Sequence, residues 1–104
     1  MEGFVRQSLL YDFYADLLTD HQKAVYSAYI QDNLSLGEIA EDEGISRQGV
    51  HDTIKRCNAL LEGYESKLRL VERFLDIRDK IARIQSCEDL ESAREIAGQI
   101  LEIL

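Results

Sequence analysis

The sequence predicts an all-α chain, and three observations carry that prediction. There is no proline among the 104 residues and there are only 6 glycines, so the two residues most hostile to helix interiors are absent or scarce. Apolar residues recur at three- and four-residue intervals along most of the chain, the spacing of one helix face. Helix-start signals recur as well. Thr19, Ser35, Ser46 and Ser86 each precede a periodic stretch, where a hydroxyl can accept from an unsatisfied first-turn amide. With 45% hydrophobic and 31% charged residues the chain is globular rather than disordered. Its length suits one domain with a modest core plus an appended element.

The first helix is expected over about residues 3–17, with Val5, Leu9, Leu10, Phe13, Tyr14 and Leu17 on its inner face. Thr19 should cap the second, with Asp20 favourably placed at the positive end of the helix dipole. Ala24, Val25, Ala28 and Tyr29 form its expected inner stripe, and "DNLS" breaks the pattern. "SLGE" is a capping box: Ser35 can cap, and Glu38 can reach back to the Ser35 amide. Leu36, Ile39 and Ala40 then face inward on a short helix that Gly44 stops in a left-handed C-cap. Ser46 caps the next helix, which begins at Arg47 and is held by Val50, Ile54, Cys57 and Leu61. Cys57 reads as buried filler in that register. Two capped helices separated by "GIS" match a helix-turn-helix in spacing and turn chemistry. The fourth helix can run on, because Gly63 alone is a weak breaker.

Beyond it, Leu70, Phe74, Ile77, Ile81 and Ile84 form an a/d seam. Ser86 is expected to cap a last helix with Glu88 and Asp89 in its first turn and Leu90, Ala93, Ala97, Ile100 and Leu104 as its seam. Leu68, Val71 and Leu75 widen the first stripe, and Ile96, Leu101 and Ile103 the second. Burying each such side chain is worth roughly 1.5–3 kcal/mol, and leaving several exposed usually marks an interface. The expected organisation is a helix-turn-helix domain over residues 1–62, its motif at about 35–58, and amphipathic helices over 63–104. The latter are expected to form a homodimer through Leu70, Phe74, Ile77, Ile81, Ile84, Ile100 and Leu104; the alternative is a tail folded onto its own front domain.

"SLGEIAEDEGISRQGVHDTIKR", residues 35–56, resembles the helix-turn-helix of sigma-factor region 4. The shared positions are Leu36, Glu38, Ile39, Ala40, Gly44, Ile45, Ser46, Arg47, Val50, Lys55 and Arg56. A wider stretch, residues 9–70, resembles the YlxM family, small bacterial proteins described as DNA-binding proteins of the signal recognition particle region. "DFY", "LT", "SLGEIAE" and "SRQGVHDTIKR", in that order, carry the match. The resemblance implies a sigma-region-4-like helix-turn-helix domain with a C-terminal helical extension, and a DNA-binding regulatory role. Because the family's genes often sit beside the gene for the signal recognition particle GTPase, it also implies a link to that GTPase.

Carried over by position, the motif places Ser46, Arg47, Gln48, His51 and Asp52 on the groove-facing side. Gln48 would pair bidentately with adenine, and Arg47 would take guanine or a phosphate. Asp52 could accept from cytosine but repels phosphates. Lys55 and Arg56 would grip the backbone. This sequence departs from the sigma-like pattern at Gly49 and His51, where arginine is common, and at Glu43, where a large apolar residue is common.

Charge weighs on the same question. The chain has a formal net charge of −8. Residues 1–46 hold nine acidic and two basic residues, whereas Arg47 to Asn58 holds three bases and one acid. Phosphate neutralisation dominates affinity for DNA, and strong binders make roughly 6–10 such contacts. One basic helix supplies about half that at most, so DNA binding should be weak and salt-sensitive, and a dimer would double the count. The acidic front also suits a basic protein partner, the signal recognition particle GTPase being the candidate the resemblance supplies.

No phosphate-binding loop, HExxH or nucleophile elbow is present, so no enzyme activity is expected. His21, His51, Cys57 and Cys87 lack metal-ligand spacing, and no cofactor or metal is expected. No apolar run reaches the length of a membrane span. The N-terminus lacks the features of a signal peptide, so the expected location is the cytoplasm.

Overall fold

The computed structural model describes residues 3–104. Six α-helices follow in order: α1 (Gly3–Tyr14), α2 (Asp20–Ile30), α3 (Leu36–Glu43), α4 (Arg47–Leu68), α5 (Leu70–Ser86) and α6 (Leu90–Ile103). A single 3₁₀ turn, Ala15–Leu17, follows α1, and no strand occurs among the described residues. The chain divides into two compact units, one running to Leu68 and the other from Arg69 to Leu104.

In the first unit α1, α2 and α3 all pack on α4. Val50, Ile54, Cys57 and Leu61 form the buried stripe of α4, as their three- and four-residue spacing predicts. Ile39 and Ala40 cover it from α3. The local signals are realised as read. Thr19 accepts from the Gln22 amide, and Gln22 returns the bond to the Thr19 amide. Ser35 and Glu38 make the same reciprocal box. Gly44 ends α3 at φ +66°, where a β-carbon is disfavoured. The amides of Gly44 and Ile45 both donate to the Ala40 carbonyl.

The inner faces of α1 and α2 differ from the expected ones. On α1 the buried residues are Leu10, Tyr11 and Tyr14, followed by Leu18, whereas Val5, Phe13 and Leu17 stay substantially exposed. The tyrosines account for the rotation. The Tyr14 hydroxyl donates to Glu65 Oε1 at 2.6 Å on α4, and the Tyr11 ring packs 5.4 Å from that of Tyr26. A buried tyrosine satisfies its hydroxyl only where a partner waits, and the phenylalanine face has no such requirement. The 3₁₀ turn then changes the phase, so Leu18 rather than Leu17 points inward. On α2 the buried set is Val25, Tyr26 and Ile30, while Ala24 is exposed. Larger side chains gain more from burial than alanines, and Tyr26 also donates to Asn58 Oδ1 on α4.

α4 passes through Gly63 without interruption and ends at Leu68. Arg69 takes a left-handed conformation at φ +56°, which no helix can continue through. The units divide after Leu68, six residues beyond the expected division after residue 62.

The second unit is the pair α5 and α6 packed on each other. Its last helix is capped by Asp89, whose carboxylate accepts from the Ser92 amide at 2.9 Å. Ser86, the expected cap, instead closes α5 and donates to the Arg83 carbonyl. On α5, Val71 is buried, Leu75, Ile77 and Ile84 are half-buried, and Leu70, Phe74 and Ile81 are exposed. On α6, Ile96 is buried and Ala93, Ile100 and Ile103 are half-buried. The expected α6 seam is therefore split, with Leu90, Ala97 and Leu104 on the open side.

Candidate nucleic-acid interface

The candidate interface is the outer face of the first turns of α4. Its geometry follows from the turn before it. Gly44 reverses the chain, and Ser46 accepts from the Gly49 amide at 2.9 Å, satisfying a donor that the helix start leaves open. A β-carbon at position 49 would lie 3.2 Å from that Ser46 oxygen. The glycine found where arginine is common in sigma-like motifs thus leaves room for the cap. Ser46, also expected on the groove-facing side, is exposed, and accepting this bond leaves its O–H as a donor.

With Val50 and Ile54 anchored in the core, the helical period turns Arg47, Gln48, His51, Asp52, Lys55 and Arg56 to solvent. All six are exposed, so the residues singled out by the motif do share an accessible surface. Arg47 lies over the start of α3: a β-carbon at Gly37 would sit 3.9 Å from its Nε. Gln48 Nε2 donates to Asp52 Oδ1 at 2.9 Å, and His51 Nδ1 lies 3.7 Å from the same oxygen. The carboxylate therefore occupies one of the two N–H donors of the amide expected to read adenine.

Two open grooves flank α4. One, of about 460 Å³, is lined by Thr19, His21 and Gln22 from the start of α2 and by Asp52, Thr53 and Arg56. The other, of about 360 Å³, is lined by Tyr29, Leu36, His51, Ile54, Lys55 and Asn58. Arg56 and Lys55 thus stand on opposite flanks of the helix. Sequence reasoning missed His21, Gln22 and Asn58 as neighbours of this surface, and placed Tyr29 in the core. No spacing rule connects residues 21 and 56; only the packing of α2 on α4 brings them to one groove.

The acidic front is real at this site. Glu41, Asp42 and Glu43, in the last turn of α3, are all exposed. Glu38 is lowered from its ordinary carboxylate value by the hydrogen bonds it shares with the Ser35 backbone and side chain. Cys57 is buried and free, and burial pushes its thiol up to about 11. It stays protonated at neutral pH and is a poor metal ligand or nucleophile there. Among the described residues no group of three or more His, Cys, Asp or Glu side chains could hold a metal ion. No helix among them is long and apolar enough to cross a membrane.

Residues 1–100 match the family described as "Putative helix-turn-helix protein, YlxM / p13 like", UPF0122. A UPF0122 protein of Thermoanaerobacter is 44% identical over 103 residues, covering 99% of this chain and 88% of the relative. One from Shouchella clausii is 42% identical over 102 residues, covering 98% and 94%. One from Bacillus thuringiensis is 42% identical over 105 residues, covering 100% and 96%.

Proposed function

Because the chain belongs to the UPF0122 family of YlxM- and p13-like helix-turn-helix proteins, we propose that it is a cytoplasmic DNA-binding regulatory protein whose α4 lies in the major groove. One observation carries this reading. Arg47, Gln48, His51, Asp52, Lys55 and Arg56 share one exposed face of a helix whose opposite face is buried. Gln48 and Arg47 read base edges, and Lys55 and Arg56 hold phosphates. The protein works as a homodimer through its C-terminal helices, which doubles the cationic contacts. At the upper end of the accessible concentration range, light scattering should then approach twice the chain's 11.9 kDa.

Each phosphate contact contributes about −0.9 to the slope of log K against log salt. Fluorescence anisotropy with the gene's own upstream DNA at low salt tests the reading. Lys55→Ala with Arg56→Ala should weaken binding at least tenfold and flatten the slope by about 2 per helix. Binding that is absent, or indifferent to the double substitution, sinks it.

The exposed run Glu41, Asp42 and Glu43 favours a second reading, an acidic module that docks on the signal recognition particle GTPase without acting on DNA. Co-purification with that GTPase, lost on reversing the three charges to lysine, supports it. Association that survives the reversal removes it.

A further inference from the structure

α6 carries two seams. The covered one is Ala93, Ile96, Ile100 and Ile103, spaced three, four, three. The open one is Leu90, Arg94, Ala97, Leu101 and Leu104, spaced four, three, four, three, and all five residues are exposed. Leu90, Leu101 and Leu104, at 65, 73 and 84% exposure, are the most exposed large hydrophobic side chains among the described residues. The four-three alternation is the pattern by which one helix meets another along its length.

We propose that this open seam is the surface through which two copies of the chain associate, α6 against α6 and antiparallel. The inference rests on the dimer reading above and names the face that carries it. Charge selects the partner and its direction. A parallel, in-register pair would set Arg94, which occupies a seam position, against its own counterpart. An antiparallel pair centred on Ala97 matches Leu90 with Leu104 and brings Arg94 within reach of the second copy's Glu102. Two-fold symmetry makes that exchange twice. Ala97 lies at the centre of the crossing beside Gly98, where an added β-carbon would meet nothing within 4 Å. Small residues there let the helices approach closely.

The area sets the strength. α6 has 14 residues and is about 21 Å long. Three leucines and an alanine offer a few hundred Å² per copy, about half the ~800 Å² per partner of a standard interface. The association is therefore weak and depends on concentration. Of the residues the sequence assigned to the interface, Leu104 lies in this seam, while Ile77, Ile84 and Ile100 are half-covered within their own unit.

Sedimentation velocity on the full chain, from low micromolar to several hundred micromolar, tests the assignment. The wild type should move from monomer to dimer across that range. Leu101→Glu should raise the dissociation constant at least tenfold with helix content unchanged by circular dichroism. Arg94→Glu should weaken the dimer, and Arg94→Glu combined with Glu102→Arg should restore it. In a Cys87→Ser background, Leu90→Cys chains mixed with Leu104→Cys chains should form a disulfide between the two kinds of chain on oxidation. Neither kind should cross-link efficiently alone. A wild type that stays monomeric overturns the dimer reading and this inference together. A dimer that survives Leu101→Glu but dissociates with Ile81→Glu keeps the dimer reading and overturns the assignment to α6.

Discussion

Asp52 receives the Gln48 amide at 2.9 Å and lies 3.7 Å from His51. The contact takes one of the two Gln48 N–H donors and fixes how the amide faces an adenine edge, and before α4 can approach a phosphate the carboxylate must be tolerated. Asp52→Asn removes the charge and keeps a hydrogen-bonding partner of the same shape. It should strengthen binding several-fold on every DNA sequence alike, because phosphate attraction carries no sequence information. Anisotropy with two unrelated duplexes checks this: a gain on one duplex alone would make Asp52 a base reader. The pair is solvent-exposed, so stability should move by no more than about 0.5 kcal/mol. Tyr14 is the opposite case. Its hydroxyl is buried against Glu65 at 2.6 Å, and Tyr14→Phe removes this one hydrogen bond from a buried carboxyl. A loss of about 1–3 kcal/mol in urea unfolding is expected, with little change in DNA binding. A loss of binding equal to that of the Lys55 and Arg56 double substitution would show that the core and the interface are not separable.

The caps decide where the elements begin and end, and they explain which parts of the fold were legible in the sequence. Ser35 with Glu38, Gly44 and Ser46 act over three or four residues, so their chemistry could be read directly, and the structure realises each one. The rotations of α1 and α2 could not be read this way. They depend on where Glu65 and Asn58 stand on α4, between 32 and 51 residues away along the chain. The candidate surface shows the same division. Its α4 face follows from helical period, whereas the groove shared by His21 and Arg56 exists only through tertiary packing. Gly44→Ala therefore tests a local rule: at φ +66° it should cost about 1–2 kcal/mol and weaken DNA binding in proportion to lost folding. The caps also set a pH dependence. Glu38 and Asp89 are lowered by hydrogen bonds from the Ser35 and Ser92 backbones, and Glu62 by its bond with Arg6. A folded value below the unfolded one means stability that is complete above the unfolded range and lost as pH falls through the folded value. For the glutamates the loss begins near their ordinary value of 4.5. Thermal melts at descending pH should show a falling Tm there. Glu38→Gln, which keeps a capping side chain but cannot titrate, should reduce the fall.

At the scale of the whole molecule, charge is what the two functional readings dispute. The chain carries 20 acidic against 12 basic residues, and Glu41, Asp42 and Glu43 stand exposed just before the turn that introduces α4. If DNA is the partner, these carboxylates are a standing opposition to it. Replacing them with their amides should raise affinity on all sequences and leave sequence preference unchanged, since they reach no base edge in that reading. The gain should be largest at low salt and shrink as the Debye length falls from about 10 Å at 0.1 M towards about 3 Å at 1 M. If a basic protein surface is the partner, the same three substitutions should slow association instead, because complementary charge acts chiefly on the rate of encounter. One variant therefore moves the two readings in opposite directions. Anisotropy at 50 and 200 mM salt, beside association kinetics with the signal recognition particle GTPase, separates them. Stronger DNA binding with unchanged GTPase kinetics selects the first. Unchanged DNA binding with slower association selects the second.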